Sequence, residues 1–361
     1  MIKANKKMPA PKVNDDIDIL ILTYNDWCNT AYRYMKSLEK VGYKVKIFKG
    51  KLHNFGYPVQ APVRESITNG CIVSKTFPNI IRIKDDFELI EMIKRAKVIN
   101  FHASHYFEVA GVNWKDKKIV VTHGGTAYRS AVANCNKIFN EIANNTVIQC
   151  PDLLNKGAKN EHLIYYAVDT DYIKPKYDFM DPEYIVIGHF PSNPSTKGTQ
   201  TINGVIDSLN GKSLKNKFKY IGVRYSEENK QKLKEHYTPW LNQLERMSKC
   251  DIYIETCRAC LHGLPFGEWG NTCLEASSLG KIVITNTHAK ELYEKEYTKD
   301  YPLIIANNAE ELSKCLVNVL NMNRSELMEL KHKFRNWAEK YHNFQATGQR
   351  LKDKVYSALI K

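Results

Sequence analysis

The segment Leu264–Thr285, LPFGEWGNTCLEASSLGKIVIT, makes the strongest local prediction in the sequence. Its glycines Gly267 and Gly270 let the backbone approach a ligand closely. A helix is predicted to begin near Asn271, and its N-terminus would present unpaired N–H groups and the positive end of the helix dipole to an anion. The segment therefore suits a diphosphate group. The alternative on this pattern alone is a plain connection between two strands, with Glu275 in solvent.

Short apolar runs alternate with amphipathic segments on both sides of that segment. Because strands that alternate with helices form parallel β-α-β units, we predict parallel sheets covered by helices on both faces. Ligands of such sheets bind at the carboxyl ends of the strands. The predicted strands are Asp18–Thr23, Tyr43–Phe48, Val98–Phe101, Lys118–Thr122, Val147–Gln149, Tyr184–Gly188, Phe218–Val223, Asp251–Glu255, Lys281–Thr285 and the edge element Leu303–Ala306.

A chain of 361 residues exceeds the size of most single cores, which favours two domains. The first is predicted over residues 15–167 and the second over residues 168–339. A long helical stretch predicted from about Ser325 to the end would pack back on the first domain over about residues 340–361. Residues 1–14 are polar and lack the apolar run of a signal peptide, so we predict a flexible leader there.

The composition is that of a globular protein, with 43% hydrophobic and 25% charged residues. The formal net charge of +14 favours anionic partners. Because the positive residues are dispersed and no nucleic-acid motif is present, we expect no nucleic-acid partner. No run reaches the ~20 apolar residues of a spanning helix. Lysine-rich helices leave peripheral contact with a membrane surface open.

The nine cysteines are scattered and odd in number, which fits a reducing compartment, so a cytoplasmic location is expected. Cys257 and Cys260 form a CxxC pair, and His262 follows closely. A zinc site would need a second pair of ligands at a defined spacing, and the sequence shows none. We therefore predict buried thiols here and no metal site.

The run FGEWGNTCLEASSLGKIVIT resembles the signature of the large family of retaining GT-B glycosyltransferases, family 4 in the sequence classification. The resemblance implies that Glu275 holds the ribose hydroxyls of a nucleotide-sugar donor. It implies that Gly270, Asn271 and Thr272 bind the donor sugar and phosphates. It also implies a catalytic role for Glu268 at the transferred sugar. Here six residues rather than the usual seven separate Glu268 from Glu275, so the loop would have to be shifted.

Two further segments of the second half agree with the resemblance. VDTDYIKP, residues 168–175, is similar to the family's hinge, and GHFPSNPSTKGTQTI, residues 188–202, is similar to its first strand, loop and helix. The resemblance implies that Lys197 neutralises the donor diphosphate, against the alternative of a lysine in solvent. His189 stands where the family often has a second cation, so we name it as donor-binding and Arg224 as a substitute cation.

In the first half, the run VVTHGGTAYR, residues 120–129, places His123 after a strand and before two glycines. The resemblance implies that His123 contacts the transferred sugar as a catalytic residue, against the alternative of a structural imidazole bonded to backbone. Arg129 is a candidate for the acceptor or a phosphate, and an ordinary ion pair is equally consistent. The remaining acceptor candidates are His102 in NFHASH, together with Tyr24 and Trp27 in TYNDWCN, a loop without the family's usual glycine pair.

The resemblance implies a GT-B fold, an α/β architecture of two Rossmann-like domains whose parallel sheets face an interdomain cleft. It implies a metal-independent retaining enzyme, of the hexosyl- or pentosyltransferase class, that needs no cofactor. Such an enzyme moves a sugar from a UDP- or GDP-sugar to a glycan, a lipid-linked acceptor or another hydroxyl. Three alternatives stay open: a nucleotide-sugar epimerase, a non-catalytic scaffold that binds a sugar nucleotide or a partner, and a glucosyltransferase acting on nucleic-acid bases. The donor base, the acceptor and the oligomeric state do not follow from the sequence.

Overall fold

The computed structural model describes residues 16–63, 72–73, 78–225, 238–258, 260–261, 264–265 and 268–361. The chain divides into two compact units. Unit 1 comprises the chain up to Ala167 together with Phe344–Lys361, and unit 2 comprises Val168–Asn343. The leader predicted at residues 1–14 lies outside the described residues.

Unit 1 is built on a six-stranded parallel sheet with the order β2-β1-β5-β7-β8-β9. A smaller sheet with the order β3-β4-β6 lies in the same unit. The strands are β1 (Ile17–Asn25), β2 (Val45–Lys51), β3 (Ile72–Val73), β4 (Asn79–Ile83), β5 (Ala96–His102), β6 (His105–Val109), β7 (Lys118–His123), β8 (Asn145–Ile148) and β9 (Glu161–Leu163). The helices are α1 (Thr30–Lys40), α2 (Phe87–Arg95), α3 (Gly125–Arg129) and α4 (Val132–Phe139), with α11 (Phe344–Leu351) near the end of the chain.

The sheet of unit 1 is buried on both faces, which explains why β1 is an almost continuous apolar run. Successive side chains of a strand point to opposite faces, so Ile19 and Ile21 enter one core while Leu20 and Leu22 enter the other. The C-terminal segment closes one of these cores, since α11 packs on α1. The sequence predicted that the chain packs back on the first domain from about residue 340, and unit 1 resumes at Phe344.

Unit 2 is built on a five-stranded parallel sheet with the order β11-β10-β12-β15-β16, in which β16 is an edge strand. A short antiparallel hairpin of β13 and β14 stands apart from it. The strands are β10 (Tyr184–Gly188), β11 (Lys217–Tyr220), β12 (Ile252–Ile254), β13 (Cys260–Leu261), β14 (Leu264–Pro265), β15 (Ile282–Thr285) and β16 (Ile304–Ile305). The helices are α5 (Thr199–Leu209), α6 (Trp240–Ser248), α7 (Asn271–Ser278), α8 (Lys290–Glu296), α9 (Ala309–Leu320) and α10 (Arg324–Tyr341).

A fully buried ion pair fastens α10 to the sheet of unit 2. Lys331 Nζ lies 2.7 Å from Asp251 Oδ1, and neither side chain has more than 1% of its surface exposed. Lys331 also donates to the carbonyl of Tyr177, and Asp251 Oδ2 accepts the backbone N–H of Val186. Because every charge here meets opposite charge or hydrogen-bond partners, the burial of both ions is tolerated.

The predicted parallel α/β architecture is confirmed, and the predicted strands match observed ones to within a few residues. The sequence missed β3, β4 and β6, which form the smaller sheet, together with β9 and the short strands β13 and β14. The helical stretch predicted from about Ser325 to the end is observed as successive helices with a break between them. α10 ends at Tyr341 and α11 begins at Phe344. Among the described residues, none of the helices is long and apolar enough to cross a membrane.

Candidate functional site

The loop before α5 passes close to the segment that follows β12. Gly198, the N-cap of α5, has a φ of +72°, and a Cβ at this position would lie 2.4 Å from the carbonyl oxygen of Cys257. Only glycine fits this conformation and this approach. The backbone N–H of Cys257 donates to the carbonyl of Lys197 at 3.2 Å, so the two segments are locked together at the carboxyl edge of the sheet.

Lys197 forms an ion pair with Glu255, the residue directly after β12. The Glu255 carboxylate is almost fully buried and also accepts hydrogen bonds from Thr272 Oγ1 at 3.1 Å and from Thr285 Oγ1 at 3.0 Å. A Cβ on Gly270 would lie 3.5 Å from the same Glu255 oxygen that pairs with Lys197. The structure therefore brings Lys197, Gly270 and Thr272 together around one carboxylate at the start of α7.

The N-terminus of α7 has no side-chain cap. Gly270 is the N-cap in an extended conformation. Such a helix end directs backbone N–H groups and a partial positive charge outward. The Lys197 ammonium adds a full positive charge nearby, and about a quarter of its side-chain surface is exposed (28%).

His189 is buried beside this arrangement, and both ring nitrogens are engaged. Nδ1 lies 2.8 Å from the carbonyl oxygen of Ile254, and Nε2 lies 2.8 Å from Thr199 Oγ1. Since a carbonyl only accepts, Nδ1 carries the proton and Nε2 accepts from the hydroxyl. Burial lowers the pKa of His189 to about 4, so the ring is neutral at physiological pH. In this state His189 ties β10 to β12 and to the start of α5.

The two glutamates singled out by the resemblance point to different partners. Glu275 is buried in α7, and its Oε1 accepts the indole N–H of Trp240 at 2.8 Å. Glu268 Oε1 accepts the backbone N–H groups of His288 and Ala289 at 2.6 and 3.0 Å. Glu268 therefore holds the loop before α8, whereas the carboxylate beside Gly270 and Thr272 belongs to Glu255.

Two arginines lie near the neighbouring strand ends of unit 2. Arg224 forms an exposed ion pair with Asp207 at 2.7 Å and stacks on the ring of Tyr220. Arg258, which the sequence analysis did not select, donates to the carbonyl of Ser195. Arg258 also lines a cavity of about 360 Å³ at the start of α5, together with Ser195, Gly198, Thr199 and Tyr225.

In unit 1, His123 is the last residue of β7 and is almost fully buried (1% exposed). Its Nδ1 lies 2.8 Å from Ser104 Oγ, and its ring stacks on Tyr128 with centroids 4.0 Å apart. Among the described residues, His123 Nε2 has no hydrogen-bond partner. Burial lowers the pKa of His123 to about 3, so the ring is a neutral imidazole with one nitrogen available.

Gln149 completes the surroundings of His123. Its backbone N–H donates to the His123 carbonyl at 3.1 Å, and a Cβ on Gly124 would lie only 2.2 Å from Gln149 Oε1. The Gln149 amide nitrogen is buried and has no partner in the described part of the chain. These two buried polar atoms belong to adjacent strand ends, and a water molecule or a polar ligand could satisfy them.

The remaining unit 1 candidates take up other positions. His102 is buried with Nε2 2.9 Å from Thr30 Oγ1, and burial lowers its pKa to about 3. Tyr24 donates its backbone N–H to His105 Nδ1 at 3.2 Å. Trp27 is half exposed (48%) and stacks edge-on against His53. Arg129 forms an ion pair with Asp152 at 2.7 Å, the ordinary contact that the sequence analysis had left open.

No cluster of three or more histidine, cysteine or acidic side chains is placed to hold a metal in the described ranges. Cys257 is buried, and burial raises the pKa of its thiol to about 12. The side chain of Cys260 and the whole of His262 lie outside the described residues.

Sequence reasoning missed Glu255, Ser104, Gln149 and Arg258. One signal for Glu255 was present, because DIYIE ends a predicted strand in an acidic residue at the carboxyl edge of the sheet. Ser104 follows β5 within NFHASH and has a left-handed φ of +57°, which no local pattern predicts.

Comparisons with family models and with curated protein sequences find no match. Solved structures do match along nearly the whole chain. A sucrose-phosphate synthase from Thermosynechococcus elongatus aligns with a TM-score of 0.56 at 12% identity, covering 94% of this chain and 98% of that one. Anabaena HepE in complex with UDP and glucose aligns with a TM-score of 0.55 at 13% identity, covering 94% and 100%. The chain has the GT-B fold.

A glycosyltransferase from Rickettsia africae gives the same result, with a TM-score of 0.54 at 13% identity over 96% of this chain and 99% of that one. The predicted GT-B fold class is therefore confirmed. At these identities the likeness concerns the fold alone. The chemistry of the GT-B site rests on the residues described above.

Proposed function

We propose that this protein is a metal-independent retaining glycosyltransferase, similar to family 4, that uses a nucleoside diphosphate sugar. The observation that carries the proposal is the convergence of Lys197, Gly270 and Thr272 at the uncapped N-terminus of α7. A helix N-terminus and an ammonium group are the features that bind a diphosphate. The crystal structures of HepE with UDP and with UDP-glucose, on the same fold, support a sugar nucleotide as the ligand class.

The reaction consists of one group transfer. The acceptor hydroxyl attacks the anomeric carbon on the same face that the diphosphate leaves, so the configuration is retained. The bond from that carbon to the diphosphate oxygen breaks, and the diphosphate leaves with the bonding electrons. The acceptor's proton passes to a diphosphate oxygen. Negative charge that builds on the leaving diphosphate is met by Lys197 and by the backbone N–H groups at the start of α7, which is electrostatic stabilisation of the transition state.

The other residues have assigned roles in this proposal. Glu275 receives the ribose hydroxyls, as the resemblance implies, and Asn271 adds a backbone contact at the diphosphate. His123 offers Nε2 of its neutral ring to a sugar hydroxyl. The Gln149 amide nitrogen, which also has no partner among the described residues, belongs to the neighbouring strand end. Glu268 and His189 act by holding their neighbouring loops, since their atoms already bond backbone and Thr199.

The acceptor in this proposal is a glycan, a lipid-linked sugar or another hydroxyl compound. Tyr24, Trp27, His102 and Arg129 remain the acceptor candidates. We place the activity in the cytoplasm, because the nine cysteines are scattered and odd in number, a pattern typical of a reducing compartment.

The first experiment measures thermal stabilisation by UDP-, GDP-, ADP- and CMP-sugars, with EDTA present throughout. A ligand at a hundredfold excess over its dissociation constant stabilises the folded state by about 2.7 kcal/mol. We expect stabilisation by one nucleotide class, lost in Lys197→Ala and kept in Lys249→Ala. Lys249 is a matched control, because it lies in the same unit and pairs with Glu245 on the surface.

The second experiment tests turnover and stereochemistry. Slow hydrolysis of the α-linked donor that binds is followed by proton NMR in EDTA. We expect the α-anomer of the free sugar to form first, with the rate lowered roughly 10²–10³-fold in Lys197→Ala. First appearance of the β-anomer would contradict retention. If hydrolysis occurred without EDTA and were abolished by EDTA, metal independence would be contradicted. A well-folded protein that no donor stabilises would fit a non-catalytic scaffold instead.

A further inference from the structure

A buried carboxylate lies beneath the proposed donor site, and the sequence motifs do not account for it. Glu255 has 1% of its surface exposed, although it lies at the carboxyl edge of the sheet, next to Gly270 and the first turn of α7. An ionised carboxylate is costly to bury unless charge and hydrogen bonds compensate it. Here compensation comes from Lys197, Thr272 and Thr285.

These contacts have a consequence for Lys197. Its ammonium and the Thr272 hydroxyl bind the same oxygen, Glu255 Oε1, so the cation is fixed at the start of α7. A lysine side chain has four rotatable bonds and would otherwise sample many positions. An ammonium has three donors, and one of them points to Glu255, so the others can meet an anion.

We propose that Glu255 is a positioning residue, which holds the Lys197 ammonium where the leaving diphosphate develops charge. This inference rests on the proposed function. Preorganised charges stabilise a transition state because they need no reorganisation during the reaction. Glu255 also places a negative charge beside the anion site. It therefore favours the productive position of Lys197 at the expense of tight binding to a free nucleoside diphosphate.

The test compares Glu255→Gln with the wild-type protein. Glutamine keeps the size and the acceptor oxygen and removes the charge. We expect kcat to fall roughly ten- to hundredfold because Lys197 is misplaced. The affinity for the free nucleoside diphosphate should stay equal or increase, because a nearby negative charge is gone. Glu245→Gln, which breaks the exposed pair with Lys249, should leave both quantities unchanged.

A second readout does not depend on turnover. The rate at which an N-hydroxysuccinimide ester acylates the Lys197 amine, followed by peptide mass spectrometry, reports how firmly the amine is paired. We expect faster acylation of Lys197 in Glu255→Gln and no change in Glu245→Gln. This measurement also separates the two proposals. If the wild-type protein turns over no donor, the proposed function fails, and acylation still shows whether Glu255 holds Lys197.

Unchanged kcat together with an unchanged acylation rate would overturn the inference, since Glu255 would then serve stability alone. A fall in nucleoside diphosphate affinity equal to the fall in kcat/KM would overturn it as well. If Glu255→Gln does not fold, Thr285→Val replaces it. That variant removes the hydrogen bond to the other carboxylate oxygen and keeps the side-chain shape. Thr285→Val should lower kcat and raise the acylation rate of Lys197, each by a smaller factor than expected for Glu255→Gln.

Discussion

Both units bury polar groups near the ends of strands, but the groups differ. In unit 1 they lie near the ends of β5 and β7, and in unit 2 they lie near the ends of β10 and β12. In unit 1 the polar groups are imidazoles, His102, His105 and His123, and burial lowers the pKa of each to about 3 or 4. In unit 2 the central group is an ion pair, Lys197 with Glu255. A neutral imidazole suits a sugar hydroxyl, whereas a charged lysine suits a phosphate. The difference fits the proposed roles of His123 at a sugar hydroxyl and of Lys197 at the donor diphosphate.

The largest expected effect is that acid destabilises unit 1 more than unit 2. Burial lowers the pKa of His53, His102, His105 and His123 in unit 1 to about 3 or 4, and in unit 2 it lowers the pKa of His189 to about 4. Unfolded histidines have a pKa of about 6.5, so the unfolded state binds more protons below that value. Stability is therefore present above pH 6.5 and is lost as the pH falls towards 4.

Between pH 6.5 and about pH 4, each such histidine lowers the free energy of unfolding by about 1.4 kcal/mol per pH unit. Unit 1 should therefore lose several kcal/mol of stability by about pH 5. Hydrogen exchange followed by mass spectrometry at pH 7 and pH 5, corrected for intrinsic exchange rates, reports protection in each unit. Equal loss of protection in both units, or earlier loss in unit 2, would show that the imidazoles do not set the acid response.

The second prediction concerns the charged interior of unit 2. Lys331→Met should lower the free energy of unfolding by about 3–5 kcal/mol, because Asp251 would stay buried without its cation. Urea unfolding followed by fluorescence gives the measurement. Lys249→Met, which breaks the exposed pair of a lysine with Glu245, should cost less than about 0.5 kcal/mol. Similar costs for both variants would mean that burial does not control the strength of these pairs.

The smallest expected effect compares one helix glycine from each unit. A Cβ on Gly348 in α11 would lie 1.9 Å from the carbonyl oxygen of Ser37, so Gly348→Ala should cost about 1–3 kcal/mol through overpacking. Gly204 in α5 has open space, and Gly204→Ala should stabilise unit 2 by about 0.5–1 kcal/mol. Denaturation midpoints measure both. A stabilising Gly348→Ala would mean that α11 does not pack tightly on α1.

Local sequence predicted the parts of the fold that depend on local patterns. The strands Tyr184–Gly188 and Lys281–Thr285 are apolar runs bounded by turn residues, and the observed strands agree to within one residue. The strand β6 was missed because its residues follow two left-handed positions, Ala103 and Ser104, that no propensity favours.

The site was predictable only in part, because local sequence does not fix which neighbours a side chain meets in the folded chain. Lys197, Gly270 and Thr272 were named from their motifs, and the structure brings them together. Glu268 was also named from its motif, but its carboxylate bonds the backbone of His288 and Ala289. A motif gives the residue type and its place along the chain. The direction of the side chain depends on which donors the folded neighbours present.

The sequence by itself determined the two α/β halves and the glycine loop that opens α7, because these follow from periodicity and backbone freedom within short segments. The GT-B fold class followed from the resemblance of its motifs to a known family. The tertiary structure alone decided that Glu255 pairs with Lys197, that His123 keeps one nitrogen without a partner among the described residues, and that His189 is neutral. The physical reason is that pairing and burial join residues far apart in the chain. Lys197 and Glu255 are 58 positions apart and meet only when the sheet of unit 2 has formed.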